Sequence, residues 1–107
     1  MKIPAKFQLH GIPIKVIVSP DLLEGKAENG TSSFVYRTIT LQSKGKRSKE
    51  LVEKVFCHEL LHLIFLHVGR NWKLNNGKEL WEDEDLVEQC AFLLHQSLNS
   101  MEGEVEI

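Results

Sequence analysis

Apolar and polar positions change their period twice along this chain. From Lys6 to His10 they alternate residue by residue, Gly11 offers a turn, and alternation resumes from Ile12 to Val18. A period of two puts one face of a strand toward a core and the other toward solvent, so these segments read as a hairpin ended by Pro20-Asp21. Residues 21–30, with Gly25, Asn29 and Gly30, read as a loop holding at most a short helical turn at Leu22-Leu23. Thr31 to Leu41 is rich in Thr, Val, Ile and aromatic residues. It predicts two short strands or one bent one, with Ile39 and Leu41 on one face. Ser43 to Arg47 reads as a polar loop.

The pattern then becomes helical. Ser48 is placed to cap a helix running to about Val68, and Gly69 to end it in the left-handed conformation. Leu51, Val52, Val55, Phe56, Leu60, Leu61 and Leu63 to Leu66 surround nearly the whole helix. A helix apolar all round is a buried one. Arg70 to Leu80 reads as a polar loop holding Trp72 and the turn signature Asn75-Asn76-Gly77. Acidic residues from Glu82 to Asp85 suit the start of a second helix near Asp83. Leu86, Cys90, Leu93, Leu94 and Leu98 form its core-facing stripe, it ends near Ser100, and residues 102–107 read as a mobile tail. With neither repeat nor linker, residues 1–107 make one domain. The expected fold is α+β, a small antiparallel or mixed sheet of three to four strands packed on two main helices.

Composition narrows the function. A hydrophobic content of 42% and a charged content of 26% are ordinary for a globular protein, and a net charge of −2 gives no field to draw nucleic acid. The basic cluster Lys44, Lys46, Arg47 and Lys49 is short and ends at a helix start, so it reads as solvated. No segment reaches the ~20 apolar residues of a membrane span, and the first residues lack a signal peptide's apolar core. Cys57 and Cys90 lie in apolar helical contexts, which fits reduced packing thiols and a cytoplasmic protein.

The chemistry concentrates in His58-Glu59-Leu60-Leu61-His62, an HExxH motif inside the buried helix. Histidines at i and i+4 share a helical face, so their rings converge on one point and can hold a metal. Two neutral nitrogen ligands suit one zinc ion, and a catalytic site adds a further protein ligand and an open position. Glu59 projects beside that point as a general base toward a metal-activated water. Buried His and Glu are costly without partners, and a metal satisfies them.

Several residues compete for the third ligand position. His67 lies nine positions after His58, roughly 180° around the same helix, and reads as a helix-end or surface residue. The extended metzincin pattern needs Gly at 65 and His at 68, where this chain has Phe65 and Val68. His95 reads as a packing or surface residue, and His10 as a hairpin end. In the acidic run, Glu82, Asp83 and Asp85 read as a solvated helix start. Glu84 and Glu88 share a face with Val87, Ala91 and His95, and either is a candidate.

HExxH followed by Glu84 and Glu88 at a four-residue spacing resembles the gluzincins, zinc peptidases in which a Glu on a second helix completes the site. The resemblance implies Glu84 as the third ligand, four residues before an acidic residue that hydrogen-bonds a zinc-bound His. That position holds Glu88 here, where the clan more often has Asp, and Glu88 as the ligand remains the alternative. A leading sheet, the strand Thr38-Ile39-Thr40-Leu41 and a Leu-Val-Glu second helix extend the similarity, from about Gly11 to Leu98, to small phage and prophage minigluzincins. These imply a minimal zincin-like fold and a peptidase activity that is often cryptic.

As a peptidase, the chain is expected to pair an extended peptide with an exposed edge strand near Arg37 to Leu41. Glu59 then takes a proton from the attacking water and passes it to the leaving amine. Tyr36, the only Tyr, is a weak candidate for holding the oxyanion and reads better as a strand packing residue. Two alternatives stand beside this: a latent or non-catalytic zinc-binding protein used for partner binding or regulation, and a zinc hydrolase of non-peptide substrates.

Overall fold

A computed structural model of the chain describes residues 1–20, 29–43, 45, 47–69 and 73–107. The expectations of a turn at Leu22-Leu23, of solvated Lys44 and Lys46, and of a loop around Trp72 lie outside these residues. The fold is α+β. Strands β1 (Lys6–Leu9), β2 (Ile12–Ser19), β3 (Gly30–Ser33) and β4 (Thr38–Gln42) are followed by helices α1 (Lys49–Val68) and α2 (Glu84–Ser100). A 3-10 turn, Leu80–Glu82, precedes α2.

The sheet is mixed, in the order β1-β2-β4-β3. β1 and β2 form the expected hairpin, Leu9 facing Ile12 across a turn in which His10 and Gly11 both have positive φ. β4 then lies parallel to β2, Lys15 against Thr38 and Val18 against Leu41. β3 pairs antiparallel with the outer side of β4, Gly30 against Leu41 and Ser33 against Thr38. The expected edge strand near Arg37 to Leu41 is therefore corrected. β4 is enclosed on both sides; among the described residues the edges are β1 and β3, and β3 is the one beside the motif on α1. The side chains explain the order. Ile39 and Leu41 are fully buried and need neighbours, whereas Gly-Thr-Ser-Ser offers nothing large to cover.

α1 packs on β3 and β4, and α2 packs on α1. Between sheet, α2 and the 3-10 turn, α1 has little face left for solvent, which is why its apolar residues run all the way round. Ile14, Ile39, Leu41, Phe56, Leu61, Leu63, Val87 and Ala91 form one core with Cys57. Each large side chain fully buried there stabilises the fold by about 1.5–3 kcal/mol. Cys57 is buried and Cys90 half-buried, both as free thiols.

The ends of α1 follow from local chemistry. The Ser48 hydroxyl accepts from the Leu51 N–H at 3.1 Å, satisfying one of the free donors of the first turn. Gly69 ends the helix, but not in the left-handed conformation expected for it, since its φ is −107°. Glycine suits the space: a Cβ there would overlap the Leu80 side chain, 2.9 Å from its Cγ, and force it to move. No helix among the described residues is long and apolar enough to cross a membrane.

Candidate metal centre

α1 and α2 run antiparallel, so His58 and His62 meet the first two turns of α2. His58 Nε2 and His62 Nε2 are 3.1 Å apart. Glu84 joins them, with Oε2 at 3.0 Å from His58 Nε2 and Oε1 at 3.1 Å from His62 Nε2. One ligand atom from each of His58, His62 and Glu84 thus lies within 4.8 Å of the others.

The outer nitrogens decide the tautomers. His62 Nδ1 faces the Trp81 carbonyl at 2.8 Å, and a carbonyl only accepts, so this nitrogen donates. His58 Nδ1 faces Glu88 Oε2 at 2.7 Å, where an ionised carboxylate also only accepts. In its neutral form each ring therefore turns the bare lone pair of Nε2 toward the other ring and toward a carboxylate. Three lone-pair donors aimed at one point repel one another unless a cation lies among them. The spacing suits zinc: bonds of about 2.0–2.2 Å in a tetrahedron set ligand atoms about 3.4 Å apart, a few tenths of an ångström more than the distances here. Of the two acidic candidates, Glu84 faces the inner nitrogens and Glu88 the outer nitrogen of His58.

Glu59 occupies a different setting. It is 8% exposed, and burial pushes its carboxyl above the ordinary range, against the pull of His62, His58 and a hydrogen bond from Ser32. Gly30 allows β3 to lie this close, because a Cβ at that position would meet Val55 Cγ1 at 2.7 Å and Glu59 Cγ at 3.6 Å. The exposed edge is thereby laid along the motif. Gln42 N–H donates to the Asn29 carbonyl at 2.8 Å. Antiparallel alternation from that bond turns Thr31 and Ser33 toward β4 and leaves the N–H and C=O of Gly30 and Ser32 on the side away from it, where no other strand lies among the described residues.

A cleft of about 640 Å³ follows this edge from Glu59 and His62 past Ser32 to Phe34, Leu66 and Trp81. A second recess of about 320 Å³ opens on the other side of Glu59, against Leu51, Lys54 and Val55.

The remaining candidates fall elsewhere. Tyr36 does not pack in a strand; it is 80% exposed in the turn between β3 and β4, away from both clefts. His67 closes α1, with Phe34 and His10 stacked edge-on against its ring and its Nε2 buried without a hydrogen-bond partner among the described residues. His10 is exposed in the first hairpin turn.

His95 is buried, and its Nε2 meets Glu53 at 2.9 Å. Sequence reading missed Glu53. The available signal was a carboxylate four residues before Cys57, on the most buried stripe of α1. Comparison of the chain with protein-family models, with curated proteins and with solved structures found no match.

Proposed function

We propose that this chain is a zinc-dependent metallopeptidase of the gluzincin type, with one zinc held by His58, His62 and Glu84 and with Glu59 as general base. The observation that carries the reading is the convergence of three lone-pair donors beside a buried carboxylate that is not one of them. Zinc held there supplies Lewis acidity toward a peptide carbonyl and toward the water that attacks it. Glu59, with its proton affinity raised by burial, takes a proton from that water and delivers it to the leaving amine. Glu88 and the Trp81 carbonyl each hold an outer imidazole N–H, which fixes the ring and its tautomer. An extended peptide bonds the outward-facing backbone groups of Gly30 and Ser32 on β3, which lays its backbone along Glu59. The HExxH motif and the Glu84/Glu88 spacing support the same reading through their resemblance to the minigluzincins.

Elemental analysis and hydrolysis of an unstructured protein test it together. Wild type is expected to carry one zinc. Glu59→Gln should keep the zinc and lose about 10²–10⁴-fold in rate, the usual contribution of a general base. Glu84→Ala should lose the metal. A wild type that takes up no zinc on reconstitution sinks the metal site, and a Glu59→Gln variant hydrolysing at wild-type rate sinks the role of Glu59. Zinc bound without hydrolysis by either protein favours the alternative, a zinc site that serves partner binding.

A further inference from the structure

The edge strand has a direction, and that direction assigns the two ends of the cleft. β3 runs from Gly30, beside Val55 and Glu59, to Ser33 and the Phe34 that follows it. A peptide pairing antiparallel with β3, the commoner arrangement, enters at Phe34 and leaves at Gly30. Its residues before the scissile bond then lie over the larger cleft, and those after it over the recess at Leu51 and Val55.

The walls of the larger cleft are apolar and held in place. Phe34 is 40% exposed and Trp81 36% exposed. The Phe34 ring stands edge-on to His67 with centroids 5.0 Å apart, and the Trp81 indole N–H donates to Glu79. Trp81 is fixed a second time through its carbonyl, which accepts from His62. Leu63 and Leu66 of α1 form the floor. The rim also carries Glu82, which is not a metal ligand, so an acidic side chain is repelled there while an apolar one loses water.

We propose that Phe34, Leu66 and Trp81 form a specificity subsite that takes a bulky apolar side chain from one of the two residues before the scissile bond. The inference rests on the peptidase reading and adds the substrate class: peptides selected for an aromatic or large aliphatic residue on the amino-terminal side, with acidic residues disfavoured. Phe34 and Leu66 determine specificity and are neither metal ligands nor the general base.

Binding to the zinc-loaded protein tests this without turnover. Dipeptide hydroxamates of the form acetyl-Xaa-Xaa-NHOH place all their side chains before the metal-binding group. A succinyl hydroxamate carrying phenylalanine amide places its ring on the other side. By calorimetry, acetyl-Phe-Gly-NHOH or acetyl-Gly-Phe-NHOH should bind about 10- to 100-fold more tightly than the Gly-Gly compound, as burial of an aromatic ring predicts. Phe34→Ala and Leu66→Ala should each remove most of that gain, Phe34→Leu should retain it, and none should change Gly-Gly or succinyl binding.

Equal affinity for the Phe and Gly compounds overturns the subsite, as does a gain indifferent to Phe34 and Leu66. A Phe34 dependence seen only with the succinyl compound reverses the direction of the peptide and overturns it too. Zinc content is measured in the same samples, so a chain without zinc marks failure of the metal reading. A zinc-loaded chain that binds no hydroxamate marks failure of the cleft.

Discussion

Between Glu53 and His95 two ionisable groups share a site that water barely reaches, each 4% exposed. Asn99 and the Met1 ammonium complete the cluster, with the ammonium 3.4 Å from Glu53 and 2.6 Å from Asn99 Oδ1. The hydrogen bond from His95 is the largest cause that holds the Glu53 carboxyl below its ordinary value of 4.5, and it outweighs the opposing effect of burial. A carboxyl depressed on folding contributes stability that is complete above its unfolded pKa and disappears as pH falls through its folded pKa. Glu53→Gln should therefore be less stable than wild type at neutral pH. The gap should begin to close below the ordinary carboxyl value and vanish in stronger acid. Urea melts of both proteins from neutral pH to about pH 3 would measure it. A gap that stays constant with pH shows that Glu53 acts through shape alone.

Along the helices, the two N-caps offer a controlled comparison. Ser48 and Asp83 do the same local job, each accepting from the N–H three residues on, at 3.1 and 2.9 Å. Replacing either by Ala should cost about 0.5–2 kcal/mol. Their consequences for the site differ, because Glu84 and Glu88 sit in the first turns of α2, whereas His58 lies nearly three turns into α1. Asp83→Ala should weaken zinc binding and Ser48→Ala should leave it unchanged, as competition with a fluorescent chelator would record. Equal losses would mean that the start of α2 does not position Glu84. Legibility divides along the same line. The HExxH and Glu84/Glu88 groupings were readable because helical periodicity fixes what shares a face. The Glu53–His95 pair depends on how α1 slides against α2, which no periodicity encodes. The left-handed end expected at Gly69 failed for a similar reason, since its glycine answers to Leu80 across the chain.

At the scale of the whole molecule the sheet was legible as strands but not as an order. Segments 6–10, 12–18 and 31–41 carry strand composition, yet nothing local says that β4 inserts between β2 and β3. That insertion makes the polar, four-residue β3 an edge strand and lays it along Glu59. A slip of one residue in the β3–β4 register would turn every side chain of β3 to the other face, removing Ser32 from Glu59. The register therefore writes itself into time. Amide protons of Thr31 and Ser33, bonded to β4, should exchange with deuterated solvent slowly. Those of Gly30 and Ser32, facing outward, should exchange close to the rate of an open chain. Residue-resolved exchange that showed the opposite parity would place the strand one step out of register, and with it Ser32, the hydroxyl that hydrogen-bonds the Glu59 carboxylate.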